Sequence, residues 1–212
     1  MYWVKMAQSL ATTVLKLGHT QKVKSSLQDT TQLKSIWEDI YSKDFKHRLE
    51  GVSEFGRHGV LTECITRLIH EGAILDMGCG SGILAELLPR DKFDYIGVDI
   101  SEQALGLARQ RQKGPNRAFV CSRVENFDIG CKFDAIVFNE ILYYLDYASL
   151  IKSASKWLRG PRLVLASIFD LTASKWAIRR HLMQTLSEPR EILICNGMDG
   201  LRWRVIFGPL KN

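Results

Sequence analysis

The clearest chemical pattern in the sequence is a set of three glycines at alternate positions, Gly78, Gly80 and Gly82, which follow a short apolar run and Asp76. Glycine lets the backbone take positive φ and approach a ligand closely, and the amino end of a following helix offers free N–H groups. A strand that ends in such a turn and leads into a helix is typical of a nucleotide-binding site. The loops that bind a pyrophosphate have the spacing GxGxxG, whereas here the third glycine comes one residue too early.

Asp76 indicates the charge of the ligand. A carboxylate two residues before the first glycine repels a pyrophosphate and attracts an ammonium group. The pattern therefore predicts a ligand with a cationic amine near the loop and a flat or ribose part beyond it, and S-adenosylmethionine has this shape. Cys79 lies inside the loop, and we expect its backbone to contact the ligand, because the sequence places no base that would activate the thiol.

The segment LDMGCGSG resembles the first motif of the class I S-adenosylmethionine-dependent methyltransferases, in which an acidic residue precedes three glycines. Asp99, about twenty residues beyond the loop in YIGVDIS, matches the acid with which this family holds both ribose hydroxyls. The segment FDAIVFNEILYYL resembles the family's fourth motif, most closely in small methyltransferases akin to the nodulation-factor N-methyltransferases. The resemblance covers residues 57–209 approximately, and it implies a Rossmann-like fold and S-adenosyl-L-methionine as the cofactor.

The resemblance also implies a cofactor site at the carboxyl ends of the first strands. The family often has an acid where Arg123 stands, which accepts a hydrogen bond from the adenine amino group, and arginine has no acceptor. Either Glu125 or the backbone around Val124 must then serve the adenine. The predicted cofactor-binding residues are Asp76, Gly78, Cys79, Gly80, Gly82, Asp99, Ile100, Val124, Glu125 and Asn139.

The catalytic candidates are Glu140, Tyr143 and His181. Glu140 follows the fourth predicted strand, at the edge where ligands bind in open α/β sheets, although it could instead cap the next helix. One ring of the pair Tyr143–Tyr144 could form a wall of the acceptor pocket or hold a cation, and Tyr143 is our first choice. His181 is the candidate base on the helix after the fifth strand. The histidines show no ligand spacing, so no metal site is predicted.

Strand-like and helix-like runs alternate after Gly72, which predicts an α/β fold with a doubly wound, mainly parallel sheet. Helices are expected to begin near Gly82, Ser101, Tyr147 and Leu171. The last two strand-like runs, joined by residues 197–200, predict an antiparallel terminal hairpin and a total of seven strands. The seven runs are AILDMG, DYIGVDI, RAFVCS, FDAIVFN, PRLVLASIF, REILICN and LRWRVIFG.

Three helical patterns precede the sheet. The first spans residues 1–18, a polar linker follows at 19–29, and the second stripe comprises Leu33, Ile36, Trp37, Ile40 and Tyr41. The third helix is expected from about Arg57 to His70. We divide the chain into an N-terminal helical cap or lid, residues 1–50, and a methyltransferase core, residues 51–212. A lid would exclude water and help to select the acceptor, but these helices could also join two copies, so a monomer and a homodimer both stay open.

The composition is that of an ordinary globular protein, since 46% of the 212 residues are hydrophobic and 25% are charged. The formal net charge is +6, but lysine and arginine are scattered along the chain, so neither nucleic acid nor a membrane is predicted as a partner. The five cysteines have no CxxC spacing and the first residues lack a signal-peptide pattern. Both features predict a cytoplasmic protein.

The sequence thus predicts an enzyme that transfers a methyl group from S-adenosylmethionine to nitrogen or oxygen of a small metabolite or natural-product intermediate. Two alternatives stay open. One is a cyclase or isomerase that keeps the cofactor without methylating, because fold does not fix chemistry. The other is a non-enzymatic binding protein. The acceptor and its reacting atom are not predicted.

Overall fold

The computed structural model describes residues 30–42, 51–170, 173–197 and 200–211. The predicted first helix, the linker at 19–29, the remainder of the cap at 43–50 and the centre of the terminal turn at 198–199 lie outside the described residues.

A seven-stranded sheet forms the centre of the protein, with the strand order β3-β2-β1-β4-β5-β7-β6. The first five strands run parallel, and β7 is antiparallel to both of its neighbours. The predicted α/β fold with a doubly wound sheet and an antiparallel terminal hairpin is confirmed. The strands are β1 (Gly72–Met77), β2 (Phe93–Asp99), β3 (Arg117–Cys121), β4 (Phe133–Asn139), β5 (Leu158–Phe169), β6 (Arg190–Cys195) and β7 (Arg202–Pro209).

The helices begin close to the predicted positions, with one clear difference. The helix expected from about Arg57 begins at Val52, because extended Gly51 provides a carbonyl to which the Glu54 N–H donates at 2.9 Å. The α-helices are α1 (Thr30–Ser42), α2 (Val52–Ile69), α3 (Ile83–Leu87), α4 (Glu102–Arg111), α5 (Tyr147–Ser153) and α6 (Ala173–Thr185), and 3-10 turns cover Leu142–Tyr144 and Ala154–Lys156.

Apolar side chains cover the sheet on both faces. On β1, Leu75 and Met77 pack in a cluster with Phe138, whereas Ile74 packs on the opposite face with Leu61 of α2. Burial of both faces explains why the inner strands are almost continuously apolar. The functional side chains must therefore lie at the ends of the strands, since the faces are filled. In the part of the chain that the structure describes, no helix is both long and apolar enough to cross a bilayer.

Candidate active site

A cavity opens at the carboxyl ends of β1 to β4, where the turns of a parallel sheet converge. The loop after β1 forms one side of it, and the ends of β2, β3 and β4 form others. Helices α1 and α2 complete the wall. Nine of the predicted site residues line this cavity: Gly78, Cys79, Gly80, Asp99, Ile100, Val124, Glu125, Asn139 and Glu140.

The glycine loop has the backbone that its sequence predicts. Gly78, Gly80 and Gly82 have φ of 81°, 53° and 77°, in the region that side chains disfavour. A Cβ at Gly80 would collide with the Tyr41 hydroxyl, and one at Gly78 would collide with the Ile141 side chain. Any larger residue at these two positions would therefore have to displace Tyr41 or Ile141, which both line the cavity.

Gly82 has a packing role and does not line the cavity. It is the N-cap of α3 in the left-handed conformation. A Cβ there would lie 3.0 Å from the Ala108 side chain and 3.3 Å from the Phe119 ring. The third glycine thus lets the loop pack closely against α4 and β3.

Asp99 joins the loop to the end of β2. Its two carboxylate oxygens accept hydrogen bonds at 2.9 Å, one from the Gly80 N–H and the other from the Ser101 N–H. Burial raises the pKa of Asp99, and the backbone hydrogen bonds oppose that rise. A carboxylate has about four lone-pair sites, so Asp99 keeps acceptor capacity for a hydroxyl group of a ligand in the cavity.

Asp76 lies beneath the loop and is only 1% exposed. Tyr95 donates to its Oδ2 at 2.6 Å, while its Oδ1 is buried without a hydrogen-bond partner among the residues that the structure describes. Burial raises its pKa to about 7, with the Tyr95 hydrogen bond and Arg57 acting against the rise and Asp99 adding to it. The carboxylate is thus poised to ionise near neutral pH, as an acceptor for a cation above it.

Glu140 lies at the end of β4 with a φ of 61°, an uncommon conformation for a residue with a side chain. Ser167 donates to its Oε1 at 2.8 Å, and the Tyr143 hydroxyl donates to its Oε2. Strained residues of this kind cluster at functional sites. The two hydroxyls fix both oxygens of a carboxylate that lines the cavity.

The structure places the two tyrosines differently from our first choice, which was Tyr143 as the wall of the acceptor pocket. Tyr144 lines the cavity, whereas Tyr143 lies behind Glu140 with the Lys175 Nζ 4.8 Å from its ring centre. Burial raises the pKa of Tyr143 well above its usual value, and Glu140 adds to the rise. Tyr143 is therefore a neutral phenol that orients Glu140.

His181 does not reach the cavity wall. Its ring packs edge-on against the Tyr147 ring at 5.4 Å, because α6 lies along the sheet face, where Ile178 and Leu182 are buried. The structure gives this residue a packing environment and no contact with the other two catalytic candidates.

The position of Arg123 is relevant to which group would bind the adenine amino group. Its guanidinium forms an ion pair with Glu125 at 3.0 Å, and both residues line the cavity beside Val124. Arg123 thus keeps an acid at this edge in place. The structure brings both predicted alternatives, the Glu125 side chain and the Val124 backbone, to the same wall.

The cavity residues that were not predicted as site residues include Trp37 and Tyr41 on α1, and Arg57 and His58 on α2. The Arg57 guanidinium donates to Glu54 at 2.7 Å and to the Asn139 side chain, and its Nε is buried without a partner among the described residues. Burial, together with nearby Arg57, lowers the pKa of His58 to about 3, so its imidazole is neutral. The sequence placed Trp37 and Tyr41 in the predicted cap without naming them as site residues, and no local pattern pointed to Arg57.

Comparison with known proteins identifies the segment that carries the loop. The family model described as "Methyltransferase domain" matches residues 74–160, from β1 into β5. We refer to the matched segment, residues 74–160, as the methyltransferase domain. The predicted resemblance to class I methyltransferases, and among them to the nodulation-factor enzymes, is confirmed.

Curated relatives of the methyltransferase domain include Nodulation protein S of Rhizobium tropici, 32% identical over 108 residues, which are 48% of this chain and 45% of the relative. Another is the ubiquinone biosynthesis O-methyltransferase of Sinorhizobium medicae, 26% identical over 163 residues, or 66% of this chain and 65% of the relative. The chain spans about half to two thirds of the length of the curated relatives it matches.

Solved structures share the fold of the methyltransferase domain. The N-methyltransferase NodS from Bradyrhizobium japonicum, solved with S-adenosyl-l-homocysteine, aligns with a TM-score of 0.73 and 20% identity over 84% of this chain and 98% of that one. The 1,6-didemethyltoxoflavin-N1-methyltransferase of Burkholderia thailandensis aligns with a TM-score of 0.71 and 15% identity over 91% of each chain.

The cavity of the methyltransferase domain fits S-adenosyl-L-methionine, the cofactor of this class. Asp99 has acceptor positions left for ribose hydroxyls, and the unpartnered Asp76 oxygen suits an ammonium group above the loop. The Arg57 guanidinium suits a carboxylate. Ile100 and Val124 offer apolar contacts for a flat ring. Within the described ranges, no group of three or more His, Cys, Asp or Glu residues could hold a metal ion.

Proposed function

We propose that the protein transfers the methyl group of S-adenosyl-L-methionine to a nitrogen or oxygen atom of a small metabolite or natural-product intermediate. The observation that carries the proposal is the convergence of the glycine loop, Asp99 and Arg57 on one cavity at the carboxyl edge of the sheet. The cofactor supplies a methyl group that is already activated. The protein then has to bind the cofactor and the acceptor, orient them, and exclude water.

Each part of the cofactor has a proposed partner in the cavity. Asp99 accepts from the ribose hydroxyls, and the Gly78–Gly80 backbone contacts the amino-acid portion. Arg57 pairs with the carboxylate of that portion, and Asp76 stabilises its ammonium group from below. Ile100, Val124 and Glu125 hold the adenine.

Glu140 is the proposed group that handles the acceptor's proton. Its carboxylate lines the cavity, and the hydroxyls of Ser167 and Tyr143 keep it oriented. An N–H or O–H acceptor must lose a proton when it is methylated, and a Glu140 oxygen can receive it. Trp37, Tyr41 and Tyr144 shield this region from water. The names of the relatives, which include N- and O-methyltransferases, agree with a heteroatom acceptor.

We also propose that the reaction takes place in the cytoplasm on a small-molecule acceptor. The five cysteines are all free thiols, which suits the reducing cytoplasm. Among possible partners, a small-molecule acceptor agrees best with a cavity enclosed by α1, α2 and the strand ends.

Binding of S-adenosylhomocysteine tests the cofactor site directly. We expect the wild-type protein to bind it with micromolar affinity in calorimetry, and Asp99→Ala to weaken binding by roughly 10- to 100-fold, the equivalent of about 1.5–3 kcal/mol for hydrogen bonds to a charged group. Exposed Asp128 provides the matched control, Asp128→Ala, which should bind as the wild type does.

Methyl transfer is then tested with S-adenosylmethionine that carries a labelled methyl group, incubated with panels of small amines and phenols. Label in the acceptor supports the proposal and identifies the reacting atom. A protein that binds no S-adenosylhomocysteine contradicts it. Tight binding without label transfer to any acceptor class would favour an enzyme that keeps the cofactor without methylating.

A further inference from the structure

Helix α1 is fixed to the amino end of α4 by one carboxylate. The two oxygens of Glu38 accept hydrogen bonds from the Glu102 N–H at 2.9 Å, the Gln103 N–H at 3.0 Å and the Ser101 hydroxyl at 3.0 Å. These partners lie more than sixty residues further along the chain. The contact therefore joins a separate helix to the core of the methyltransferase domain.

The amino end of α4 is well suited to hold this carboxylate. The first N–H groups of a helix have no partner within the helix, and the helix dipole favours a negative charge there. Ser101 accepts from the Ala104 N–H at 3.1 Å as the N-cap, which leaves its own proton to donate to Glu38. Burial tends to raise the pKa of Glu38, but the hydrogen bonds from Gln103, Glu102 and Ser101 lower it overall. Glu38 is thus an anion bound by three donors.

The same helix carries two aromatic residues of the cavity wall. Trp37, next to Glu38, packs edge-on against Tyr144 at 5.6 Å, and the Tyr41 hydroxyl lies against Gly80 of the glycine loop. The position of α1 therefore determines whether this wall is complete. The wall stands over the loop that is proposed to hold the cofactor.

Glu38 and Asp99 also share a partner. The Ser101 N–H donates to Asp99, while the Ser101 hydroxyl donates to Glu38. A single residue thus connects the proposed ribose acid to the helix that covers the cavity. Release of Glu38 would remove the hydrogen bonds between α1 and α4, together with one restraint on the turn that holds Asp99.

We propose that Glu38 is a positioning residue, which fixes α1 over the cofactor cavity and thereby slows the release of the cofactor. This inference rests on the proposed cofactor site, but the Glu38 contact exists in the protein without ligand. Glu38 does not itself line the cavity, although its charge helps to raise the pKa of Asp99. Its positioning effect passes through Trp37, Tyr41 and Ser101.

The first measurement is the dissociation rate of S-adenosylhomocysteine from full-length wild type, Glu38→Ala and Glu38→Gln. We expect Glu38→Ala to accelerate release roughly tenfold or more, and Glu38→Gln to lie between it and the wild type, since the amide keeps an acceptor but loses the charge. Asp39→Asn is the matched control, because it removes the same charge from an exposed position of the same helix. Its release rate should equal that of the wild type.

The second measurement is amide hydrogen exchange at Glu102 and Gln103 without ligand. In Glu38→Ala these two amides should exchange faster, whereas the amides of the central sheet should keep wild-type protection and the melting temperature should stay close to that of the wild type. Faster exchange together with faster release supports the proposal. Unchanged release, or equal acceleration in Asp39→Asn, overturns it. A wild-type protein that binds no S-adenosylhomocysteine would contradict the proposed function instead, and the exchange measurement would still test the Glu38 contact.

Discussion

Asp76 combines two properties that oppose each other at the scale of a single residue. Its carboxyl is buried beside Asp99, which favours the protonated form, yet a bound ammonium group would favour the ionised form. The pKa of about 7 places the change between the two forms in the physiological range. Burial of this group therefore lowers the stability of the protein without ligand. It also leaves a carboxyl group that can ionise when the ammonium group of the ligand binds.

This arrangement predicts a specific dependence of stability on pH. The pKa of Asp76 is raised from 3.8 to about 7 in the folded protein, so the unfolded state releases the proton first as the pH rises. The stability that protonated Asp76 contributes is thus present below pH 3.8 and is lost progressively up to about pH 7. We expect Asp76→Asn, which imitates the neutral form, to exceed the wild type in unfolding free energy at pH 8 by up to about 4 kcal/mol.

Urea unfolding of both proteins at pH 4, 6 and 8 measures this difference. The gap should narrow towards pH 4, where Asp76 is neutral in the folded state and close to its pKa of 3.8 in the unfolded state. In both proteins His58 changes the unfolding free energy with pH in the opposite direction. Because its pKa is lowered, the folded state loses stability as the pH falls from 6.5 to about 3. The difference between the two proteins cancels that effect. Parallel stability curves would show that folding does not raise the pKa of Asp76.

Local sequence spacing was sufficient to predict some of these residues and not others. The loop and Asp99 lie within one βαβ unit, where chain length alone brings the two turns together. Arg57 reaches Asn139 over 82 positions of sequence, and the position of α2 that makes this contact depends on packing. Tyr143 and Tyr144 were indistinguishable in the sequence, because the 3-10 turn at Leu142–Tyr144 decides which ring faces the cavity.

At the scale of elements, the end of β4 and the turn after it act as one unit. Glu140 leaves the strand with positive φ, its N–H donates to the Ser167 carbonyl of β5 at 3.2 Å, and its side chain binds Ser167 and Tyr143. A strand end that is tied to its neighbour through both backbone and side chain is rigid. Such rigidity suits a group that must meet an acceptor at a fixed distance.

We expect substitutions in this unit to affect turnover and to leave the cofactor bound. Glu140→Gln keeps the shape of the side chain but cannot take up a proton, so kcat should fall by roughly 100-fold or more, the contribution of a general base. Tyr143→Phe removes only the hydroxyl that orients Glu140 and should reduce kcat less. Tyr147→Phe, which changes a tyrosine packed against His181, is the matched control.

Steady-state kinetics with an acceptor identified by methyl labelling, together with calorimetry of S-adenosylhomocysteine, separate these effects. If Glu140→Gln and Tyr143→Phe both turn over normally, the acceptor binds elsewhere and this unit only supports the fold. If both lose cofactor affinity as strongly as turnover, the unit belongs to the cofactor site.

At the scale of the whole molecule, the sequence predicted the sheet well because each strand is bounded by clear turns and filled with apolar residues. Alternation of strands and helices fixed the parallel part, and the two final runs indicated the hairpin. The exact place of β7 between β5 and β6 was not predicted, since a pattern of period two does not specify which edges pair.

The division of the chain into a cap and a core stays a prediction, and truncation tests it. Removal of residues 1–18 should leave a folded, monomeric domain that binds S-adenosylhomocysteine weakly and has lost most of its turnover, if those residues help to exclude water from the cavity. Light scattering after gel filtration, calorimetry and methyl-transfer assays measure the three properties. A change from dimer to monomer with full activity would instead assign residues 1–18 to assembly and leave the cover to residues 30–50.

The position of β7 in the sheet has a consequence for synthesis on the ribosome. Strand β6 is made before β7, but among the described strands β6 pairs only with β7, which separates it from β5. Until Arg202–Pro209 has emerged, at about 5–20 residues per second, β5 presents an unpaired edge and β6 has no partner. Nascent chains halted within this interval carry a ready template for strand pairing with one another, so β7 is the strand that protects the growing sheet from aggregation.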